Sequence, residues 1–344
     1  MVVAERNCSL PAPGYYVSMM HNFHIISFPI YIVTLNALFR EPSRLFQTYK
    51  YYIIVHVAIN IISESYVSFF MLPMTYLPLP MLRNTGWLAD WGFSGMFQFY
   101  ILAQLVMVTV GSILEMFYYR FKITVVHQMK HNFRSLLKYQ VYTYRILILV
   151  HPIIAVATIN ISLDVEAKET ARLFQQSNFT LPPEITCYSV IVAVLDDFVF
   201  WIILTIYSVQ VVIQLVASYG TLYYTTKFIK KGFIISKAMV AVQRMLIISL
   251  FIQGGIHGGL IMLPTVFLIY ALFAHSMLND LAQCLLLCVA YHGFASTVAM
   301  IIFTKPLREK ILPFMKPAEV EQPKNLSRIV SSTSFDRSTN IPVL

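Results

Sequence analysis

Residues Met96–Tyr119 (MFQFYILAQLVMVTVGSILEMFYY) carry a single charged side chain, Glu115. As a helix rising about 1.5 Å per residue, this stretch crosses a bilayer core of roughly 30 Å. The next residues, RFKITVVHQMKHNFRSLLKYQVYTYR, hold Arg120, Lys122, Lys130, Arg134, Lys138 and Arg145 and no carboxylate. A basic loop directly after a span belongs on the cytoplasmic side. Together the two segments set the class, an all-α membrane protein, and its orientation.

Apolar helix-length runs recur at about 15–39, 50–72, 96–118, 143–163, 188–217, 238–272 and 277–303, which predicts a seven-helix bundle. With the loop after the third run inside, the domain plan is an extracellular amino terminus at 1–14, a helical domain at 15–303 and a cytoplasmic tail at 304–344. Of the 25 Lys and Arg, only Arg6, Arg83, Lys168 and Arg172 fall on outside segments. The inverted arrangement would put most positive charge outside, against the positive-inside bias. The amino terminus is polar and lacks the apolar core of a cleavable signal, so the first span is expected to serve as the signal anchor. With 58% hydrophobic and only 12% charged residues, the net charge of +9 marks inner loops rather than a nucleic-acid surface. The lipid bilayer is the expected environment and nucleic acid is not an expected partner.

Other marks agree with that orientation. The triplets Asn7-Cys8-Ser9 and Asn178-Phe179-Thr180 fall outside, which makes Asn7 and Asn178 candidate N-glycosylation sites. Cys8 and Cys187 also lie outside, where they are either bridged or two free thiols. Cys284 and Cys288 sit four apart in the seventh run and read as packing residues.

Polar residues within apolar runs are functional candidates, in competition with interhelical hydrogen bonding. Gln98 and Gln104 in the third run, Asp196 and Asp197 in the fifth, and Gln253 and His257 in the sixth all fall in outer halves. A cavity bounded by those spans suits a small organic ligand, with mostly apolar walls and few polar anchors. Glu64, His24, His56, Glu115 and His292 lie deeper and are expected to bond helix to helix or to serve a switch between packings. His127 and His131 have no third ligand near them in sequence, so no metal site is expected.

No G-x-S-x-G, H-E-x-x-H, G-x-x-x-x-G-K-[ST] or G-x-G-x-x-G stretch occurs. Neither an enzyme nor a cofactor is therefore expected. The rival readings are a ligand-gated channel subunit of opposite orientation and, further off, a transporter, for which paired broken helices in an internal repeat are missing.

Four stretches carry a family resemblance: Pro13-Gly14-Tyr15-Tyr16; Ser112-Ile113-Leu114 through Phe117-Tyr118-Tyr119-Arg120; Ser236-Lys237, Gln243-Arg244, Ser249-Leu250, Gln253 and Pro264; and His292-Gly293, Ser296-Thr297 and Met300 followed by Pro306-Leu307-Arg308. The chain resembles the nematode serpentine chemoreceptors, G-protein-coupled receptors of class H (Srh), with class I (Sri) as the near alternative. Tyr118 and Tyr119 stand where the resemblance expects acidic and amide residues before the third-span Arg, so a local ion pair with Arg120 is missing. The resemblance implies a chemosensory receptor in the plasma membrane, of a sensory cilium for example, with a small-molecule ligand and a heterotrimeric G protein as partners. It also implies that Arg120, Lys227, Lys230, Lys231 and Lys237 face the G protein.

Overall fold

The structure is a computed structural model that describes residues 12–40, 47–77, 79–124, 131–176, 187–192, 237–274 and 278–311, with scattered positions between 185 and 227. Among these residues five helical stretches are long and apolar enough to cross a membrane: Gly14–Phe39, Thr48–Met71, Gly95–Ile123, Arg244–Ala271 and Asn279–Phe303. The first is built from α1 (Gly14–Asn22) and α2 (His24–Phe39). The second is α3 (Gln47–Ser65), which continues as a π turn over Tyr66–Met71. After a short α4 (Trp87–Asp90) comes α5 (Gly95–Thr124), then α6 (His131–Gln176). The sixth run is α7 (Lys237–His257), a second π turn over Gly258–Met262 and α8 (Leu263–Phe273). The seventh is α9 (Asn279–Phe303), followed by the short α10 (Lys305–Ile311).

The fourth run, expected at 143–163, is part of a much longer helix, because α6 begins at His131 and ends at Gln176. Its added turns hold no Gly or Pro, and Arg172 closes a bidentate pair onto Glu169 at 2.6 and 2.8 Å one turn away. The basic loop is correspondingly shorter than 119–142, since α5 persists to Thr124. The fifth run, expected from 188, opens instead with strand β3 (Val190–Val192). A short apolar run reads equally as strand or helix by periodicity, and here a pairing partner decides it.

That partner is a hairpin between α3 and α4, formed by β1 (Pro73–Thr75) and β2 (Met81–Asn84). The three strands make one antiparallel sheet in the order β1-β2-β3, with Met74 opposite Arg83 and Leu82 opposite Ile191. Asn84 N donates to Ser189 O at 2.9 Å and Gly95 N to Tyr188 O at 2.8 Å, which fastens the start of α5 to the same loop. Tyr188 Oη reaches Ala89 O in α4. Leu72 turns α3 into the hairpin with φ +43°, a left-handed conformation that costs a non-glycine residue about 1–2 kcal/mol. Gly86 is needed beside it, because a Cβ there would lie 2.6 Å from Phe69 O.

Among the described residues the two largest apolar clusters lie at opposite ends of the bundle. Toward the sheet, Tyr16, Met20, Met71, Leu88 and Ala290 are buried together. Toward α10, Ile53, Val57, Met116, Phe117, Leu246, Leu250 and Met300 form the second. The outward faces stay apolar, with Ile25, Leu149, Ile153, Leu263 and Tyr270 all exposed. A surface of that kind suits lipid and is costly in water.

Candidate functional site

Midway along the bundle, four helices bring polar side chains into one buried group. Helix spacing supplies pairs: His56 and Asn60 on α3, Gln253 and His257 on α7, and His292 and Ser296 on α9 are each four residues apart and share a face. All six side chains are buried. The ring of His257 sits 5.2 Å from that of His56 and 5.0 Å from that of His292, centroid to centroid. Gly293 permits this approach, because a Cβ there would lie 2.7 Å from Asn60 Cβ. Asn60 Nδ2 lies 3.3 Å from His56 Nε2 and 3.4 Å from Gly293 O. Ser112 of α5 completes the group, 2.7 Å from His56 Nδ1. Gln253 Nε2 donates to Ser249 Oγ at 3.1 Å, and Ser249 is 3.2 Å from Thr304 Oγ1.

One turn further along α3 lies a second polar group. Glu64 accepts from the hydroxyls of Ser27 and Tyr31, the latter at 2.7 Å, and His24 Nδ1 is 3.5 Å from its Oε1. This is the interhelical hydrogen bonding expected of Glu64. Glu115 does the same between α5 and α6, where Arg145 grips it through Nε at 2.5 Å and Nη2 at 2.8 Å.

At the α10 end, Arg120 is buried with 2% exposure, and its guanidinium carbon lies 3.5 Å from the centroid of the Tyr49 ring. Tyr119 stacks 6.0 Å from Tyr49 and sits 4.9 Å from Tyr52. An aromatic face attracts a cation, most strongly when water is excluded. The cover that a preceding carboxylate would give Arg120 thus comes from Tyr49 on the neighbouring helix.

The remaining expected residues are scattered. Gln253 and His257 stand together within the central group. Gln98 and Gln104 are turned to other partners: Gln98 Nε2 donates to Phe93 O at 2.9 Å, and Gln104 engages α6 through Ile148 O at 3.0 Å and His151 Nδ1 at 2.7 Å. Asp196, Asp197, Lys230, Lys231, Asn7, Asn178 and Cys8 lie outside the described residues. Lys227 is exposed, with Nζ 5.6 Å from the Tyr223 ring, and Lys237 is the first residue of α7. Cys187 is buried and disulfide-bonded, whereas Cys284 and Cys288 are free thiols. The sequence reading put neither Asn60 nor Ser296 in a site; their signal is the i, i+4 polar pairing in an otherwise apolar run. Tyr49 gave no signal.

Next to the sheet, Glu166 of α6 accepts from Val192 N at 2.8 Å. Burial pushes its carboxyl up to about 7, against the opposing pull of that hydrogen bond. Among the described residues no group of three or more His, Cys, Asp or Glu is placed to hold a metal ion.

The described residues thus form a helical membrane bundle with a buried polar group between its helices and a covered arginine at the end of its third span. The family model of serpentine type seven-transmembrane G-protein-coupled chemoreceptors, Srh, matches residues 11–317, and the chain belongs to that family. No curated protein matches it. The protein is accordingly a multi-pass plasma-membrane chemoreceptor rather than a member of an enzyme class.

Proposed function

We propose that this receptor binds a small molecule between its helices, from the outer half of the bundle down to the central polar group, and on binding activates a heterotrimeric G protein at the opposite end. The observation that carries the reading is the covering of Arg120 by Tyr49, at the far end of the same helices that hold the central polar group. A ligand that favours one packing of these helices shifts the population toward it, and a packing that uncovers Arg120 offers a cation to a partner. In this reading the sheet faces outward and α10 lies at the cytoplasmic face. Gln253 and His257, joined by Asp196 and Asp197 of the fifth span, contact ligand. Lys227, Lys230, Lys231 and Lys237 add positive charge around Arg120. The outward side carries glycans on Asn7 and Asn178. Cys8, the one cysteine left once Cys284 and Cys288 are free, is the proposed bridge partner of Cys187.

The test combines topology with coupling. In intact cells an amino-terminal tag should be reached by antibody without permeabilisation, and a glycosidase shift should disappear in Asn7→Gln and Asn178→Gln variants. In membranes, ligand should accelerate nucleotide exchange on the G protein, and Arg120→Ala should abolish the acceleration while surface expression persists. A tag reached only after permeabilisation would reverse the orientation and sink the reading.

A further inference from the structure

The central group has a chemical bias that follows from its proton positions. His257 Nδ1 is 2.9 Å from Gln253 O, and His292 Nδ1 is 2.6 Å from Val289 O. A carbonyl can only accept, so each Nδ1 carries the proton, and Nε2 of a neutral imidazole is left as a bare lone pair. His56 obeys the same logic. Ser112 Oγ donates to Thr109 O at 2.6 Å and therefore accepts from His56 Nδ1, while His56 Nε2 accepts from Asn60 Nδ2.

Four atoms are then left without a hydrogen-bond partner among the described residues: His257 Nε2, His292 Nε2, Gln253 Oε1 and Asn60 Oδ1. Each is an acceptor. The remaining orphan in the group, Ser296 Oγ, is a hydroxyl and serves either role. Buried polar atoms without partners are rare in native folds, and a set of one polarity on helices packed together is a demand for the other. A carboxylate ligand would face those four lone pairs and carries no proton to share with them.

The backbone around His257 is rich in glycine. That residue is flanked by Gly254, Gly255, Gly258 and Gly259, and among the described residues a Cβ at Gly258 would meet nothing within 4 Å, while one at Gly254 would meet only Phe117, at 3.9 Å. The π turn Gly258–Met262 begins at the residue after His257, a departure from α geometry that recurs at functional sites.

We infer that this group receives a hydrogen-bond donor, a hydroxyl or N–H, from the ligand, with His257 and His292 as its acceptors. The inference rests on the receptor reading for the ligand but not on G-protein coupling. It is tested on the purified full chain by thermal shift with matched probes: 1-hexanol against its methyl ether, hexanamide against its N,N-dimethyl derivative, and hexanoate. The alcohol and the primary amide should raise the melting temperature, with apparent affinities roughly tenfold or more above their capped partners, and hexanoate should bind weakest. His257→Phe and His292→Phe should bring that ratio toward one. The wild-type comparison within each pair decides even where a variant fails to fold. Equal shifts within the pairs, preference for the capped members, or no shift from any probe, the result expected if bound water alone supplies the donors, would overturn the inference. Donor-selective shifts without nucleotide exchange would leave it standing and remove the coupling reading instead.

Discussion

At Glu64 both carboxylate oxygens are taken by hydroxyls of α2, whereas one turn away Asn60, with His257, His292 and Gln253 around it, keeps four acceptor atoms unspent among the described residues. The two groups sit on the same face of the same helix and are similarly buried. They differ in what burial leaves over. A carboxylate with both oxygens occupied acts as a staple between helices, because removing it strands its donors. A group rich in unspent lone pairs adds little to the fold as it stands and reserves its bonding for something that arrives. Arg120 is a third case, a buried cation covered by an aromatic face instead of a carboxylate.

The sharpest way to break this contrast is Glu64→Leu. Stranding the hydroxyls of Ser27 and Tyr31 should lower unfolding stability by roughly 3 kcal/mol, read as a fall in melting temperature of the purified protein. Tyr49→Leu keeps apolar bulk but removes the ring over Arg120. It should cost about 2 kcal/mol and raise ligand-independent nucleotide exchange, with Tyr49→Phe, which keeps the ring and loses only the hydroxyl, between it and wild type in both. If Tyr49→Leu leaves basal exchange at the wild-type level, the ring does not restrain Arg120. His292→Leu should change the stability of the ligand-free protein by less than about 1 kcal/mol, in either direction, because its Nε2 bonds nothing among the described residues and its Nδ1 donates only to Val289 O on its own helix. A loss as large as that of Glu64→Leu would erase the distinction between the two groups.

A further effect, at the sheet, concerns pH. Glu166 titrates near 7 when folded against 4.5 in its ordinary state, so the folded protein holds an extra proton in between. Its contribution is complete below pH 4.5 and is lost as pH rises toward 7, so stability should decline across that window. Glu166→Gln should flatten that part of the profile, and an unchanged slope would assign it to other groups.

Much of the architecture was legible because lipid makes a crude demand that hydropathy meets directly: length, low charge and basic flanks. The Gln253–His257 pair was legible for a related reason, since two polar residues on one face of an apolar helix need company. What sequence could not supply was rotation. Gln104 lies in the expected span, but the angle of α5 about its axis turns it to His151 and Ile148 on α6. Tyr49 and Arg120 are far apart in sequence and meet only through the packing of α3 on α5. Val190–Val192 is apolar enough for a membrane run, and only the nearby edge of Met81–Asn84 makes it a strand.

The sheet joins its two loops through main-chain amides and carbonyls. Such a seam is indifferent to side-chain identity except where a proline would remove a donor. Residues along its faces can therefore be exchanged while the loops stay sewn together, and chemical variety at that end of the receptor need not loosen the frame beneath it.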